Sequence, residues 1–374
     1  MRKILSFVLI FLSVLIPIKV SALGTLAKAA ILINADTGEV IYEHNADERL
    51  PMASTTKIMT ALLLCENGDL EKEITVTAEM LRVEGSSMGL LAGDKVTLGD
   101  LLYGMMLASG NDAANVTAYV LGGTVDAFAK QMNEKAREIG MNNTNFVTPS
   151  GLDDEEHYST ARDMATLARY ALQNETFAKA VACEKAVLNY GNPPYRRSLT
   201  NHNKLLGSFE GAIGVKTGFT KKSGRCLVSA AERDGKRVIA VTLKDPDDWQ
   251  DHKQMLQYGL SVIKTTEIAP LKTDYSLPVI NGEKDAIDIK IKPYSVNSLN
   301  QENFSCEVQL PHFIYAPVTK GEQIGVAVYK KNEEVIKTVP ILAEKQISEC
   351  LKKQNFIPEI KENAKYIFNN IWEK

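Results

Sequence analysis

From Ala29 to Asn45, "AAILINADTGEVIYEHN" sets two runs rich in Ile and Val on either side of Asp36-Thr37-Gly38, a turn-forming trio. That pattern predicts a β-hairpin. "CLVSAAERDGKRVIAVTL" predicts a second hairpin, turning at Asp234-Gly235. Between them, from about Ser54 to Leu188, apolar residues recur every three to four positions, as in "VDAFAKQMNEKAREIG" and "ARDMATLARYAL", which predicts mostly helices. Strands at both ends of a region with helices between them predict one sheet closed by distant segments. "DWQDHKQMLQYGLSVIKT" predicts a further helix that finishes near Lys264. The period then changes. Strict alternation at Ile287, Ile289 and Ile291, followed by the strand pair "GEQIGVAVYKKNEEVIKTVPIL", predicts a small all-β domain over 268–342. "PEIKENAKYIFNNIWEK" opens on Pro358 and gathers Ile360, Ala364, Ile367, Phe368, Ile371 and Trp372 on one face, an amphipathic terminal helix.

The ends of the chain add a location. Arg2 and Lys3 precede an apolar stretch from Ile4 to Ile18, and small residues follow at Ser21 and Ala22, the layout of a secretory signal peptide cleaved after Ala22. The stretch is shorter than the roughly 20 residues that span a bilayer, and Pro17 interrupts it. The expected organisation is a signal peptide (1–22), a catalytic domain (23–267), a β domain (268–342) and a C-terminal helical segment (343–374). Trp372 and Phe368 suit a membrane surface. The helix carries no net positive charge, so apolar area has to supply any attachment, and packing on the β domain is the alternative.

Composition mainly excludes. With 45% hydrophobic and 24% charged residues, the 374-residue chain is globular, and a net charge of -3 offers no basic stripe for nucleic acid. Five scattered cysteines make neither a disulfide framework nor a C-x-x-C pair, and five histidines show no ligand spacing, so neither metal nor cofactor is expected. Cys65 and Cys226 read as small buried hydrophobes.

One detail resists a purely structural reading. "LPMASTTKIMTALLL" places Lys57 one turn into an apolar helix, three residues after Ser54. At that spacing the two side chains share a face. A serine hydroxyl becomes a useful nucleophile when a base takes its proton, and a lysine serves as that base when its pKa is depressed. Apolar neighbours such as Met52, Ile58 and Met59, together with the positive end of the helix dipole, act in that direction. The alternative is Ser54 as an N-cap and Lys57 as a snorkelling surface residue. Two later tripeptides shift the balance. Ser109-Gly110-Asn111 forms a polar break inside apolar helical sequence, where a second hydroxyl and an amide can face the first pair. Lys216-Thr217-Gly218 lies in the strand-like "AIGVKTGFT", where a cation and a hydroxyl can hold a carboxylate and the missing side chain at Gly218 lets a substrate lie against the strand.

S-x-x-K, S-x-N and K-T-G in this order resemble the penicillin-binding proteins and serine β-lactamases. "REIGMNNTNFVTPSGLDDEEHYSTARDMATLARY" and "GVKTGFTKKSGRCLVSAAERDGKRVIAVTL" narrow the resemblance to the low-molecular-weight D-alanyl-D-alanine carboxypeptidases, over residues 28–265 and in layout to the C-terminus. The resemblance implies an α+β penicillin-binding fold, with an antiparallel sheet flanked by helices and a helical lobe, followed by the β domain and an amphipathic anchor. It implies Ser54 as nucleophile, Lys57 as base and Ser109 as proton relay. It implies Asn111 on the substrate amide, Lys216 and Thr217 on the terminal carboxylate, and an oxyanion site between the backbone N–H groups of Ser54 and Phe219. The implied substrate is a peptidoglycan stem peptide ending in D-Ala-D-Ala, with β-lactams as inhibitors, outside the cytoplasm. Two departures stand out: Phe219 follows K-T-G where some relatives carry His, and "TNHNKLL" has His202 where some carry Arg. A β-lactamase is the nearest rival, but Glu155 and Glu156 lack the E-P-x-L-N setting of a deacylating glutamate. A non-catalytic sensor is a third reading, without a visible signalling span after residue 22.

Overall fold

A computed structural model describes residues 23–299 and 303–350. The expected signal peptide and terminal helix lie outside the described residues. The chain divides into two compact units at Ile263/Lys264.

In chain order, the first unit contains β1 (Ala29–Asn34), β2 (Val40–His44), α1 (Lys57–Asn67), β3 (Glu73–Thr75), β4 (Lys95–Thr97), α2 (Leu98–Met106) and α3 (Asn111–Gly122). There follow α4 (Val125–Glu138), α5 (Ala161–Ala171), α6 (Glu175–Ala182), β5 (Lys185–Gly191), β6 (Pro194–Thr200), β7 (Ala212–Thr220), β8 (Gly224–Arg233), β9 (Lys236–Leu243) and α7 (Asp248–Val262). Five strands form one antiparallel sheet in the order β2-β1-β9-β8-β7, so the two hairpins read from the sequence meet along β1 and β9. The sheet is covered on both faces. Ile31, Ile33, Val228, Ile239 and Val241 join the core built by α1–α6. Leu32 and Val238 meet α7 instead, at Gly259, where a Cβ would approach both to about 3 Å. Such two-sided burial removes the apolar/polar alternation of a half-exposed strand, and all six β1 residues are buried.

The region between the hairpins is helical, as its periodicity implies, with two small two-stranded sheets, β3-β4 and β5-β6, that the pattern does not reveal. Helix starts follow local capping chemistry. Thr97, Thr124 and Thr160 each accept a hydrogen bond from the backbone three residues on, and Thr97 with Asp100 completes a capping box.

The second unit is all β: β10 (Lys264–Ile268), β11 (Asp274–Ile280), β12 (Ala286–Lys290), β13 (Tyr294–Ser298), β14 (Phe304–Gln309), β15 (Ile314–Tyr315), β16 (Gln323–Lys331) and β17 (Glu334–Leu342). Ile287 and Ile289 point into its own core with Leu277, Val279 and Ile324. The alternation seen in the sequence is thus the inward face of β12.

Candidate active site

Ser54 sits in a short 3-10 turn, Ala53–Thr56, immediately before α1, so the expected helix starts at Lys57 rather than near Ser54. The i, i+3 contact survives because the turn is itself helical. Neither the turn nor α1 has a side-chain cap, which removes the reading of Ser54 as an N-cap. Lys57 is fully buried. Its Nζ donates to Ser54 Oγ at 2.9 Å, Asn111 Oδ1 at 2.7 Å and the Ser150 carbonyl at 2.9 Å. An ammonium has three hydrogens, and each has an acceptor. In the neutral amine, the Asn111 and Ser150 oxygens take the two remaining hydrogens and the lone pair faces Ser54. Burial holds the Lys57 pKa well below its ordinary value, the nearby Lys216 cation lowers it further, and Asp112 acts in the opposite direction. The sequence suggested desolvation; the second cation lies 159 residues away in the chain and is brought in only by β7.

Ser109 lies between α2 and α3 with φ 56°, a left-handed conformation that costs a non-glycine residue about 1 kcal/mol or more. Its Oγ accepts from Lys216 Nζ at 3.1 Å, and Lys216 also donates to the Thr217 carbonyl. Lys216 is buried and its pKa is lowered to about 7 by desolvation. All three motifs therefore converge: Ser54 with Lys57, Ser109 with Asn111, and Lys216 with Thr217.

Two residues make contacts that the sequence did not show. Asn111 accepts from Lys57 through Oδ1, and its Nδ2 donates to the Glu84 carbonyl at 2.6 Å, so both ends of its amide are engaged by the protein. Gly218 faces the nucleophile turn: a Cβ there would meet Ser54 N at 3.0 Å, Ala53 Cβ at 3.1 Å and Met52 O at 3.1 Å. Its missing side chain lets β7 approach Ser54, not only a substrate approach β7.

Other residues shape the site without a readable signal in the sequence. The Asp112 carboxylate accepts from Ser87 Oγ and from the backbone N–H groups of Met88, Gly89 and Leu90, fixing the 84–90 loop whose carbonyls bind Asn111. His157 is buried beneath the nucleophile turn. Its Nδ1 accepts from Val147 N and Thr148 N, so Nε2 carries the proton and donates to Thr56 Oγ1 at 2.9 Å. Burial lowers its pKa to about 4. Gly151, at φ 85°, lies against the Ala53 carbonyl where no Cβ fits, which keeps the Ser150 carbonyl on Lys57.

A crevice of about 320 Å³ opens over Ser54, Ser109 and Thr217. Phe219, 66% exposed, stands at its rim, and His202, also exposed, lines it, its pKa lowered by desolvation and by Lys216. Glu155 and Glu156 are exposed and do not line it.

A sequence model of the D-alanyl-D-alanine carboxypeptidases matches residues 17–247. The chain belongs to this family of serine peptidases. Residues 268–349 match the C-terminal domain of penicillin-binding protein 5. The D-alanyl-D-alanine carboxypeptidase DacF of Bacillus subtilis is 34% identical over 356 residues, covering 92% of this chain and 90% of that protein. Among solved structures, the D-alanyl-D-alanine carboxypeptidase DacD of Francisella tularensis is 27% identical with a TM-score of 0.63, covering 86% of this chain and 94% of its own. The Streptomyces K15 DD-transpeptidase is 34% identical with a TM-score of 0.61, covering 64% of this chain and 98% of its own. The fold of this family is the one expected from the motifs.

Proposed function

We propose that this carboxypeptidase-family chain removes the terminal D-alanine from peptidoglycan stem peptides through an ester on Ser54. The observation that carries the reading is the buried Lys57, whose Nζ has Ser54 Oγ at 2.9 Å and its other two hydrogens committed to Asn111 and Ser150. Ser54 Oγ attacks the carbonyl of the penultimate D-alanine, and its proton passes to Lys57. The oxyanion is held by the backbone N–H groups of Ser54 and Phe219, a reading supported by the close approach of β7 to Ser54 at Gly218. When the C–N bond breaks, the leaving D-alanine nitrogen takes a proton relayed by Ser109. Water then attacks the ester, and the released acid returns the enzyme to its starting state. Lys216 and Thr217 hold the terminal carboxylate.

Penicillin forms a slowly hydrolysed ester on the same hydroxyl. The exposed positions of Glu155 and Glu156 count against a β-lactamase. The signal-peptide pattern at Arg2–Ala22 supports work outside the cytoplasm, and the apolar sequence positions around Phe368 and Trp372 support attachment to the outer face of the cytoplasmic membrane. Among the described residues no helix is long and apolar enough to cross a membrane.

Intact mass measurement with excess penicillin, alongside D-alanine release, tests the reading. A persistent adduct on Ser54 is expected, with both adduct and release abolished in Ser54→Ala. Release retained by that variant overturns it.

A further inference from the structure

The crevice continues past the reacting atoms. Beyond Thr217 its wall is made by His202, Lys204, Arg225 and Trp249, from the segment before β7, from β8 and from the start of α7. The indole of Trp249 has two cations near it, with Lys204 Nζ 5.9 Å and the Arg225 guanidinium 5.6 Å from the ring. The two cations differ. Arg225 is bound to the buried carboxylate of Asp248 at 2.7 Å, which neutralises it and fixes the indole's neighbour. Lys204 is exposed and has no ion-pair partner among the described residues. Phe219 supplies a second exposed aromatic face on the same crevice. This end lies on the Lys216/Thr217 side, where His202 feels the Lys216 charge, so it adjoins the residue whose carboxylate those groups hold.

We propose that the Trp249–Lys204 wall is a subsite for the side chain of the leaving D-residue, and that it accepts residues longer than alanine with an apolar stem and an anionic end. A D-alanine methyl group is too short to use it. A longer stem lies along the indole, and a carboxylate at its end meets Lys204 without displacing an existing partner. The bond cleaved is the same amide, and the leaving nitrogen takes the same proton.

The inference rests on the carboxypeptidase reading. The test compares kcat/KM of the full chain for three otherwise identical peptides ending in D-Ala-D-Ala, D-Ala-D-Glu and D-Ala-D-Lys, in the parent and in Lys204→Glu. Lys204 is exposed, so the variant is expected to fold. The parent is expected to prefer D-Glu over D-Lys by at least about fivefold, the size of an exposed charge contact of about 1 kcal/mol, and Lys204→Glu to invert the ratio. A ratio near one in the parent, or one unmoved by the substitution, overturns the subsite. No release from any of the three peptides counts instead against the carboxypeptidase reading itself.

Discussion

Lys57 and Lys216 are two buried cations with opposite tasks in the proposed reaction. Lys57 acts while neutral and Lys216 while charged, and the Lys216 charge lowers the readiness of Lys57 to hold a proton. The pH dependence follows with its sign. Below the Lys57 pKa the base is protonated and acylation slows. Above about pH 7, free-enzyme Lys216 loses its charge and the carboxylate loses its partner. The profile of kcat/KM is therefore expected to be a bell whose alkaline limb begins near neutrality. Lys216→Arg, which stays charged, is expected to remove the alkaline limb even if the maximum falls. Rates of peptide hydrolysis from pH 5 to 10 check this, and an alkaline limb identical in both proteins assigns it to another group. The sequence made Ser54 and Lys57 legible because their contact is local. It placed the Asn111 amide opposite that pair without showing it as a partner of Lys57, and it left Ser150 illegible, because those contacts join segments 54 and 93 residues away.

Among the elements, the nucleophile turn is held from below by the 147–157 segment. Thr60 donates to the Pro149 carbonyl at 2.6 Å, Lys57 to that of Ser150, and His157 joins Val147 and Thr148 to Thr56. This arrangement needs His157 neutral. Its pKa is depressed from 6.5 in the unfolded chain to about 4, so its contribution to stability is complete above pH 6.5 and is lost as pH falls through 4. Such a shift corresponds to about 3 kcal/mol. His157→Gln is expected to lower stability at neutral pH but to flatten the loss of Tm between pH 6.5 and 4. Comparing the slopes in thermal unfolding cancels groups common to both proteins, such as Asp245, whose pKa burial raises to about 6. Equal slopes exclude His157 as the titrating group. In the sequence His157 carried no motif. Its role depends on a ring nitrogen meeting backbone N–H groups across a loop, which spacing alone does not encode.

For the molecule as a whole, the first unit contains every residue of the proposed chemistry. The K15 relative is almost fully covered by 64% of this chain, a share close to that of the first unit. The first unit also has its own core, with both faces of the five-stranded sheet covered by its own helices. Residues 23–263 alone are therefore expected to fold and to acquire the penicillin adduct within about threefold of the full-chain rate, a change of less than about 1 kcal/mol in barrier. A fragment that folds without acylating places a necessary contribution in residues 264–374.

The sequence by itself determined the two hairpins, the helical middle, the β character of the second unit and the order of the three motifs, because each rests on short-range periodicity or on residues three apart. Only the tertiary structure decided what those motifs do to one another. Lys57 is suited to act as the base of the proposed reaction because burial, Lys216, Asn111 and Ser150 surround it, and Gly218 is a glycine because β7 passes within contact of the turn that carries Ser54. Those are distances between segments far apart in the chain, set by the closing of β1 against β9 and by the packing of the helices on that sheet.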